Sequence, residues 1–238
     1  LMDKAQEPKR IPTSTKKPKE TESSAAVGLG LAQVWFTYPN SESPALKGIS
    51  LEVSPGEHIG LAGPSGSGKT TLADVLLGLV SPDSGSISYS VDGEETHEAS
   101  SLRVGYVPQR PAILDGSIAT NVAMQRRHDL IDYGRVEEVL SDVGLDTLIE
   151  REGGVNSLLG EGNSSLSEGQ ILRLGLARAM YHEPQLLILD EATSSLDPES
   201  ESLVKKALER LEGTVSAIII AHRINTLKAL DKILFLEN

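Results

Sequence analysis

Residues 63–71 read Gly63-Pro64-Ser65-Gly66-Ser67-Gly68-Lys69-Thr70-Thr71, a glycine-rich stretch that ends in a lysine and two threonines. The stretch follows an apolar run predicted as a strand, His58–Ala62, and opens a predicted helix, Lys69–Val80. Glycines let consecutive backbone N–H groups turn inward, and the helix start adds the positive end of its dipole. The stretch therefore predicts a phosphate-binding loop, the P-loop, in which Lys69 supplies a point charge and Thr70 a hydroxyl for Mg²⁺.

Two carboxylates stand where a second apolar run ends. Gln185–Asp190 is almost continuously apolar, and Glu191 follows it directly. An acidic residue at the end of an apolar strand is common and says little by itself. Downstream of a P-loop, however, this pattern places Asp190 near a metal ion and Glu191 near an attacking water.

The remaining pattern alternates strands with helices. Further strands are predicted at Gln33–Tyr38, Leu46–Val53, Val215–Ala221 and Lys232–Leu236, and a hairpin at Ser86–Val91 with its turn at Asp92–Gly93. The pattern is mostly helical from 112 to about 180, and Pro198–Leu211 is an amphipathic helix with Asp197 as its N-cap. Continuously apolar strands suit a parallel sheet that is buried on both faces, so the class is α/β.

Composition narrows the classes of function. The 238 residues carry a formal charge of −12 and contain no cysteine, which excludes disulfides, thiolate metal sites and cysteine nucleophiles. The excess of acidic over basic residues argues against a nucleic-acid partner.

Residues 1–26, with six basic side chains and three prolines, are predicted as a flexible linker, and a leading leucine indicates a segment of something longer. No apolar run is long enough to span a bilayer, and no signal peptide opens the sequence.

The pentapeptide Leu166-Ser167-Glu168-Gly169-Gln170 precedes a periodic helical run, and Ser167 and Gln170 have the spacing of a capping box. A well-capped helix is therefore a sufficient local explanation. The pentapeptide nevertheless resembles the signature motif of ATP-binding-cassette (ABC) ATPases, with Glu168 at a tolerant position where glycine is common. The family's order and spacing are also matched by the P-loop, Val107-Pro108-Gln109, Asp190-Glu191, Ser194-Ser195-Leu196-Asp197 and His222, so that the resemblance covers residues 30–238.

The resemblance implies an ATP and Mg²⁺ site assembled from several segments. Tyr38 would stack on adenine, while Gly63, Pro64, Ser65, Gly66, Ser67, Gly68, Lys69, Thr70 and Thr71 would hold the phosphates. Glu191 would be the general base, His222 would hold the γ-phosphate, and Gln109 would sense Mg²⁺ and the attacking water. The metal would be held by Thr70, Gln109 and Asp190. Ser167, Gly169, Gln170 and Asp197 would act on the ATP site of a second copy.

Other aromatic residues are given ordinary structural roles. Trp35 and Phe36 are expected in the core, and His58, His97, His128 and His182 are expected to be ordinary packing or surface residues.

The implied fold is a P-loop NTPase core with a mostly parallel sheet, an N-terminal antiparallel β-subdomain and an inserted helical subdomain at about 110–178, all within an ATPase domain of residues 27–238. Two copies would close head to tail around ATP.

Residues 107–118 and the stretch Leu159-Gly160-Glu161-Gly162-Asn163 are similar to segments of exporters with a fused membrane domain, where Glu161 would touch intracellular loops. The resemblance therefore implies a transmembrane domain as partner, at the cytoplasmic face of a membrane, and transport outward. A soluble ABC ATPase of DNA repair or translation is the alternative. A GTPase is disfavoured because Asn-Lys-x-Asp is absent, and a small-molecule kinase because it would not need the signature or His222.

Overall fold

A computed structural model of the protein describes residues 26–159, 166–191, 196–221 and 230–237, and contains two main sheets and a short ribbon. In chain order the strands are β1 (Gly28–Phe36), β2 (Leu46–Val53), β3 (His58–Ala62), β4 (Ser84–Val91), β5 (Glu94–Thr96), β6 (Val104–Val107), β7 (Gly116–Ser117), β8 (Leu158–Leu159), β9 (Leu186–Asp190), β10 (Ser216–Ile220) and β11 (Lys232–Phe235). The helices are α1 (Lys69–Leu76), α2 (Ile118–Ala123), α3 (Tyr133–Asp142), α4 (Asp146–Glu152), α5 (Glu168–Tyr181) and α6 (Pro198–Leu211).

The central sheet is parallel throughout, with the strand order β11–β3–β10–β9–β6. Alternate residues of β9 enter two different cores. Leu187 and Leu189 pack with the helices α2 to α6, whereas Leu186 and Ile188 pack with α1 and the second sheet. The strand is apolar at nearly every position because both of its faces are covered. This sheet confirms the predicted α/β class.

The second sheet is antiparallel, with the order β2–β1–β4–β5, and includes the predicted hairpin of β4 and β5. Strand β1 begins five residues before the predicted start, because Leu29 and Leu31 alternate inward between glycines. A bulge at Gln33, whose φ is +49°, then shifts the alternation by one residue. The shift buries Phe36 as expected, but it leaves Trp35 41% exposed, so the prediction of a core tryptophan is wrong.

Helix α1 is shorter than the predicted Lys69–Val80. It ends at Leu76 because Gly78 adopts a left-handed backbone with φ of +69° and donates to the carbonyl of Val75. No helix in the described ranges is long and apolar enough to cross a bilayer.

Asn121 on α2 fixes the chain segment that leads into the helical region. Its side chain is fully buried, accepts a hydrogen bond from the backbone N–H of Leu114 at 2.9 Å, and donates to the Leu114 and Ser117 carbonyls. Arg178 of α5 donates to the Asn121 carbonyl at 2.9 Å and thereby ties this segment to α5. A single buried amide thus hydrogen-bonds three backbone groups of Leu114 and Ser117.

We expect Asn121→Ala to lower the free energy of unfolding by about 1–3 kcal/mol, because it removes the hydrogen bonds of a fully buried amide to the N–H and carbonyl of Leu114 and to the carbonyl of Ser117. Urea denaturation followed by circular dichroism measures the change. Asn156→Ala is the matched control, since Asn156 is exposed and should change stability by less than about 0.5 kcal/mol. Equal stability of the two variants would contradict the role given to Asn121.

Candidate nucleotide site

The P-loop lies between the end of β3 and the start of α1, at the edge where the parallel strands end. Lys69 is the first residue of α1 and is only 4% exposed. Its ammonium donates to the carbonyl oxygens of Gly63 at 3.0 Å and of Pro64 at 2.9 Å. The loop is therefore folded around the lysine, and its charge is held at the mouth of the loop by neutral acceptors.

Two of the loop glycines cannot be replaced by a larger residue, and a different backbone carbonyl excludes the side chain at each of them. A Cβ on Gly63 would clash with the carbonyl of Leu236, and a Cβ on Gly68 with the carbonyl of Ala45; both backbones are left-handed. Gly66, at φ of +80°, has no atom near the position of a Cβ, so it faces open space. The hydroxyl of Ser67 is buried and has no hydrogen-bond partner in the described residues. A phosphate oxygen is the kind of ligand that would satisfy it.

Three candidate site residues lie at the ends of two neighbouring strands. Asp190 ends β9, Glu191 follows it, and Gln109 follows β6, which pairs with β9. The amide of Gln109 donates to the Glu191 carboxylate at 3.0 Å. Glu191 has a φ of +50°, unusual for a residue other than glycine, and its N–H donates to the carbonyl of Ile220 at 3.0 Å. The topology thus joins residues that are 82 positions apart in the sequence.

Asp190 is a buried carboxylate with a neutral hydrogen-bonding environment. It is 7% exposed and accepts a hydrogen bond from the hydroxyl of Tyr106 at 3.4 Å, and the nearby hydroxyl of Thr70 lowers its pKa. Burial, together with the nearby charge of Glu191, raises the pKa of Asp190 above its ordinary value. No Lys, Arg or His within the described ranges forms an ion pair with it. A divalent cation bound by carboxylate and hydroxyl oxygens fits this donor set.

Tyr38 lies beyond the end of β1, beside the P-loop helix. Its hydroxyl hydrogen-bonds that of Thr71 at 3.2 Å, and its ring meets Phe36 edge to face with centroids 4.9 Å apart. The ring is 40% exposed. An exposed aromatic held next to the loop has the position that a base-stacking platform requires.

The signature residues make contacts that are local to α5 and α6. Ser167 and Gln170 form the predicted capping box, with hydrogen bonds of 3.2 and 3.0 Å. Gly169 is buried and abuts the Ser200 side chain of α6, where a Cβ could not fit. Asp197 caps α6 by accepting from the N–H of Ser200 at 2.9 Å, which lowers the pKa of its carboxyl. In the described part of the chain, none of their hydrogen bonds reaches the P-loop.

Some predicted residues lie outside the described residues: His222, Ser194, Ser195 and Glu161. Of the four other histidines, His58 is buried, with a ring nitrogen 3.1 Å from the carbonyl of Val215. His97, His128 and His182 are exposed. All four therefore match their expected packing or surface roles.

Two further residues next to this site were not predicted from the sequence. Tyr106 reaches Asp190 across the sheet, and Asp74, one turn along α1 from Thr70, adds a negative charge that raises the pKa of both Tyr106 and Asp190. Burial raises the pKa of Asp74 itself. Only the position of Asp74, four residues after Thr70 on a predicted helix, could have indicated its side of α1.

Comparison with known proteins identifies the class to which this fold and site belong. The family model of the ABC transporters matches residues 46–194. Among curated proteins, ABC transporter B family member 29, chloroplastic, of Arabidopsis thaliana is 40% identical over 210 residues, which are 87% of this chain and 33% of that protein. The ATP-dependent lipid A-core flippase of Burkholderia orbicola is 42% identical over 207 residues, which are 86% of this chain and 34% of the flippase.

A solved structure agrees. A bacterial Atm1-family ABC exporter with ATP bound matches with a TM-score of 0.77 and 29% identity over 89% of this chain and 37% of the exporter chain. The site therefore belongs to a P-loop ATPase domain. The chain belongs to the ABC transporter family, and it is an ATP-binding, ATP-hydrolysing domain homologous to those of ABC exporters. It spans about a third of the length of the curated relatives it matches.

Alanine substitutions at two glycines with nearly the same backbone conformation test whether the P-loop binds phosphate. Gly66 and Gly93 have φ of +80° and +83°, and neither has an atom near its Cβ position. Alanine at either position should cost about 1–2 kcal/mol of stability through the left-handed backbone. Because a methyl group at Gly66 would occupy the space that a phosphate approaches, we expect Gly66→Ala to weaken ATP binding at least about tenfold and Gly93→Ala to leave it unchanged. Isothermal titration calorimetry measures both; equal affinities would contradict the phosphate role of Gly66.

Proposed function

We propose that this domain hydrolyses ATP at an interface between two copies, with the residues that the sequence predicts, and that this reaction drives export through a transmembrane domain. The observation that carries the proposal is the convergence of buried Lys69, buried Asp190 and the Gln109–Glu191 pair at one edge of the sheet. Phosphate, metal and water chemistry can therefore take place within one site.

The P-loop binds and orients the triphosphate. Lys69 donates to two loop carbonyls and can exchange these neutral acceptors for phosphate oxygens, which are better partners for an ammonium group. Ser67 has a buried hydroxyl without a hydrogen-bond partner among the described residues, and Tyr38 offers the exposed ring for adenine. This arrangement favours a nucleoside triphosphate over a bare anion.

Glu191 is the proposed general base. Its carboxylate lies 3.0 Å from the Gln109 amide, so that the two side chains can hold a water molecule in position and remove its proton as it attacks. Mg²⁺, when bound by Thr70, Asp190 and Gln109, would neutralise charge on the phosphates. His222 is proposed to hold the γ-phosphate in the family's manner.

The second copy supplies what one copy lacks. Ser167 is exposed at the N-terminus of α5, a 14-residue helix whose first turn can bind an anion. Asp197 is exposed at the adjacent start of α6. We place Ser167, Gly169, Gln170 and Asp197 against the ATP of the partner, in a head-to-tail dimer.

We expect Glu191→Gln to bind ATP and Mg²⁺ normally, to lower the hydrolysis rate at least about 100-fold and to accumulate as a nucleotide-bound dimer, because the proton acceptor is lost while every phosphate ligand remains. Light scattering coupled to size exclusion, with and without ATP, measures the dimer.

The matched control is the double variant Glu191→Gln with Ser167→Arg. It retains the whole P-loop and should bind ATP as a monomer, because the arginine fills the surface that would face the partner's phosphate. A dimer of the double variant would contradict the placement of Ser167, and full hydrolysis by Glu191→Gln would contradict the assignment of the base.

Several observations support coupling to a membrane domain. The relatives are described as transporters, flippases and an exporter, and the match to this chain covers 33%, 34% and 37% of their lengths. The exposed leucines Leu114 and Leu158 lie at the β7–β8 ribbon, beside the exporter-like segment 107–118. Apolar side chains on a rigid ribbon suit contact with an intracellular loop. The net negative charge does not support a nucleic-acid partner. These relatives also do not favour the alternative of a soluble ABC ATPase of DNA repair or translation.

We expect the complete reading frame to encode several apolar spans of about 20 residues before Leu1, long enough to cross a bilayer. Sequencing the gene upstream of Leu1, and fractionating the full-length protein into membranes, tests this expectation. A frame that opens only a few codons before Leu1 would contradict the fused exporter.

A further inference from the structure

Tyr106 makes an unusual contact for a residue of the central sheet. It lies on β6, in register with Ile188 of β9, two residues before the end of that strand. Its hydroxyl donates to Oδ2 of Asp190 over 3.4 Å, and Asp190 is its only hydrogen-bond partner in the described ranges. A half-buried tyrosine thus directs its polar end at a proposed metal ligand.

The contact has a clear electrostatic consequence. Asp190 is nearly inaccessible to solvent and lies near the charges of Glu191 and Asp74. Burial and the two aspartates raise the pKa of Tyr106 to about 12. The Tyr106 hydroxyl is placed to donate to the ionised carboxylate.

The contact also restrains the carboxylate. Because Tyr106 donates to Oδ2, rotation of the carboxylate is restricted. The hydroxyl of Thr70, at the start of α1, also interacts favourably with this carboxylate and lowers its pKa. Outer hydrogen bonds of this kind orient metal-ligating side chains.

We infer that Tyr106 is a positioning residue for Mg²⁺: it fixes the Asp190 carboxylate in the orientation needed for the cation that accompanies ATP. This inference rests on the proposed function. It adds to that function a side chain of β6 that acts through Asp190.

The test is Tyr106→Phe, which removes one oxygen and preserves the ring. A fluorescent, non-hydrolysable ATP analogue is titrated into the protein without Mg²⁺ and then over a series of Mg²⁺ concentrations. We expect the Mg²⁺ concentration at half-saturation to rise about three- to tenfold, because the free carboxylate must be ordered on binding. Affinity without Mg²⁺ should stay within about twofold of the unsubstituted protein, because the P-loop is untouched.

Tyr89→Phe is the matched control. Tyr89 is 2% exposed and donates to the carbonyl of Leu76 at 2.9 Å, and burial raises its pKa to about 12 as well, but it does not contact Asp190. Its substitution should lower the melting temperature without changing the Mg²⁺ dependence. The same behaviour from Tyr106→Phe, or an unchanged or lower half-saturation, would overturn the inference and leave Tyr106 a structural residue.

The two levels of the proposal fail differently. If the unsubstituted protein binds the analogue equally well with and without Mg²⁺, the proposed metal-dependent site itself is wrong. If Mg²⁺ strengthens binding in the unsubstituted protein and in Tyr106→Phe to the same extent, only the role of Tyr106 is wrong.

Discussion

Lys69 and Asp190 are two buried charges of opposite sign that do not neutralise each other. The lysine is 4% exposed and donates to two carbonyls, and the aspartate is 7% exposed and accepts from the Tyr106 hydroxyl. Keeping unpaired charges away from water is costly, and a fold retains them only where the surrounding structure enforces it. Here the parallel sheet does so, since β3 leads directly into the loop that holds the lysine and β9 ends at the aspartate. A bound triphosphate with its cation would complete both environments at once.

The features that could be predicted from the sequence are those that local chemistry determines. Glycines 63, 66 and 68 predict the loop because their left-handed backbones exclude other residues, and continuous apolar runs predict strands covered on both faces. Boundaries were less accurate where a single residue decides them. Gly78 ends α1 early, and the bulge at Gln33 turns Trp35 outward, and neither effect follows from the hydrophobic period.

Contacts across the sheet could not be predicted, because they depend on strand order. Tyr106 and Asp190 are 84 residues apart, and they meet only because β6 lies next to β9. The same holds for Gln109 and Glu191, where the resemblance supplied both residues and the topology supplied their proximity. The sequence thus predicted the ligands of the site, whereas the contact between Tyr106 and Asp190 became visible only with the fold.

The N-terminus of α5 can serve both as a capping box formed by Ser167 and, as proposed, as part of a partner's active site. The box satisfies the N–H of Gln170 and the N–H of Ser167 itself, but it leaves other first-turn N–H groups of α5 without an intrahelical acceptor, as at any helix start. Gly169, which no larger residue could replace, brings this helix start against Ser200 and therefore close to Asp197. Two helix N-termini, α5 and α6, are thus packed side by side, with an exposed serine on one and an exposed aspartate on the other. A helix cap alone would not require that packing, whereas the proposed approach to a partner's phosphate would require both helix starts to be held in a fixed relation.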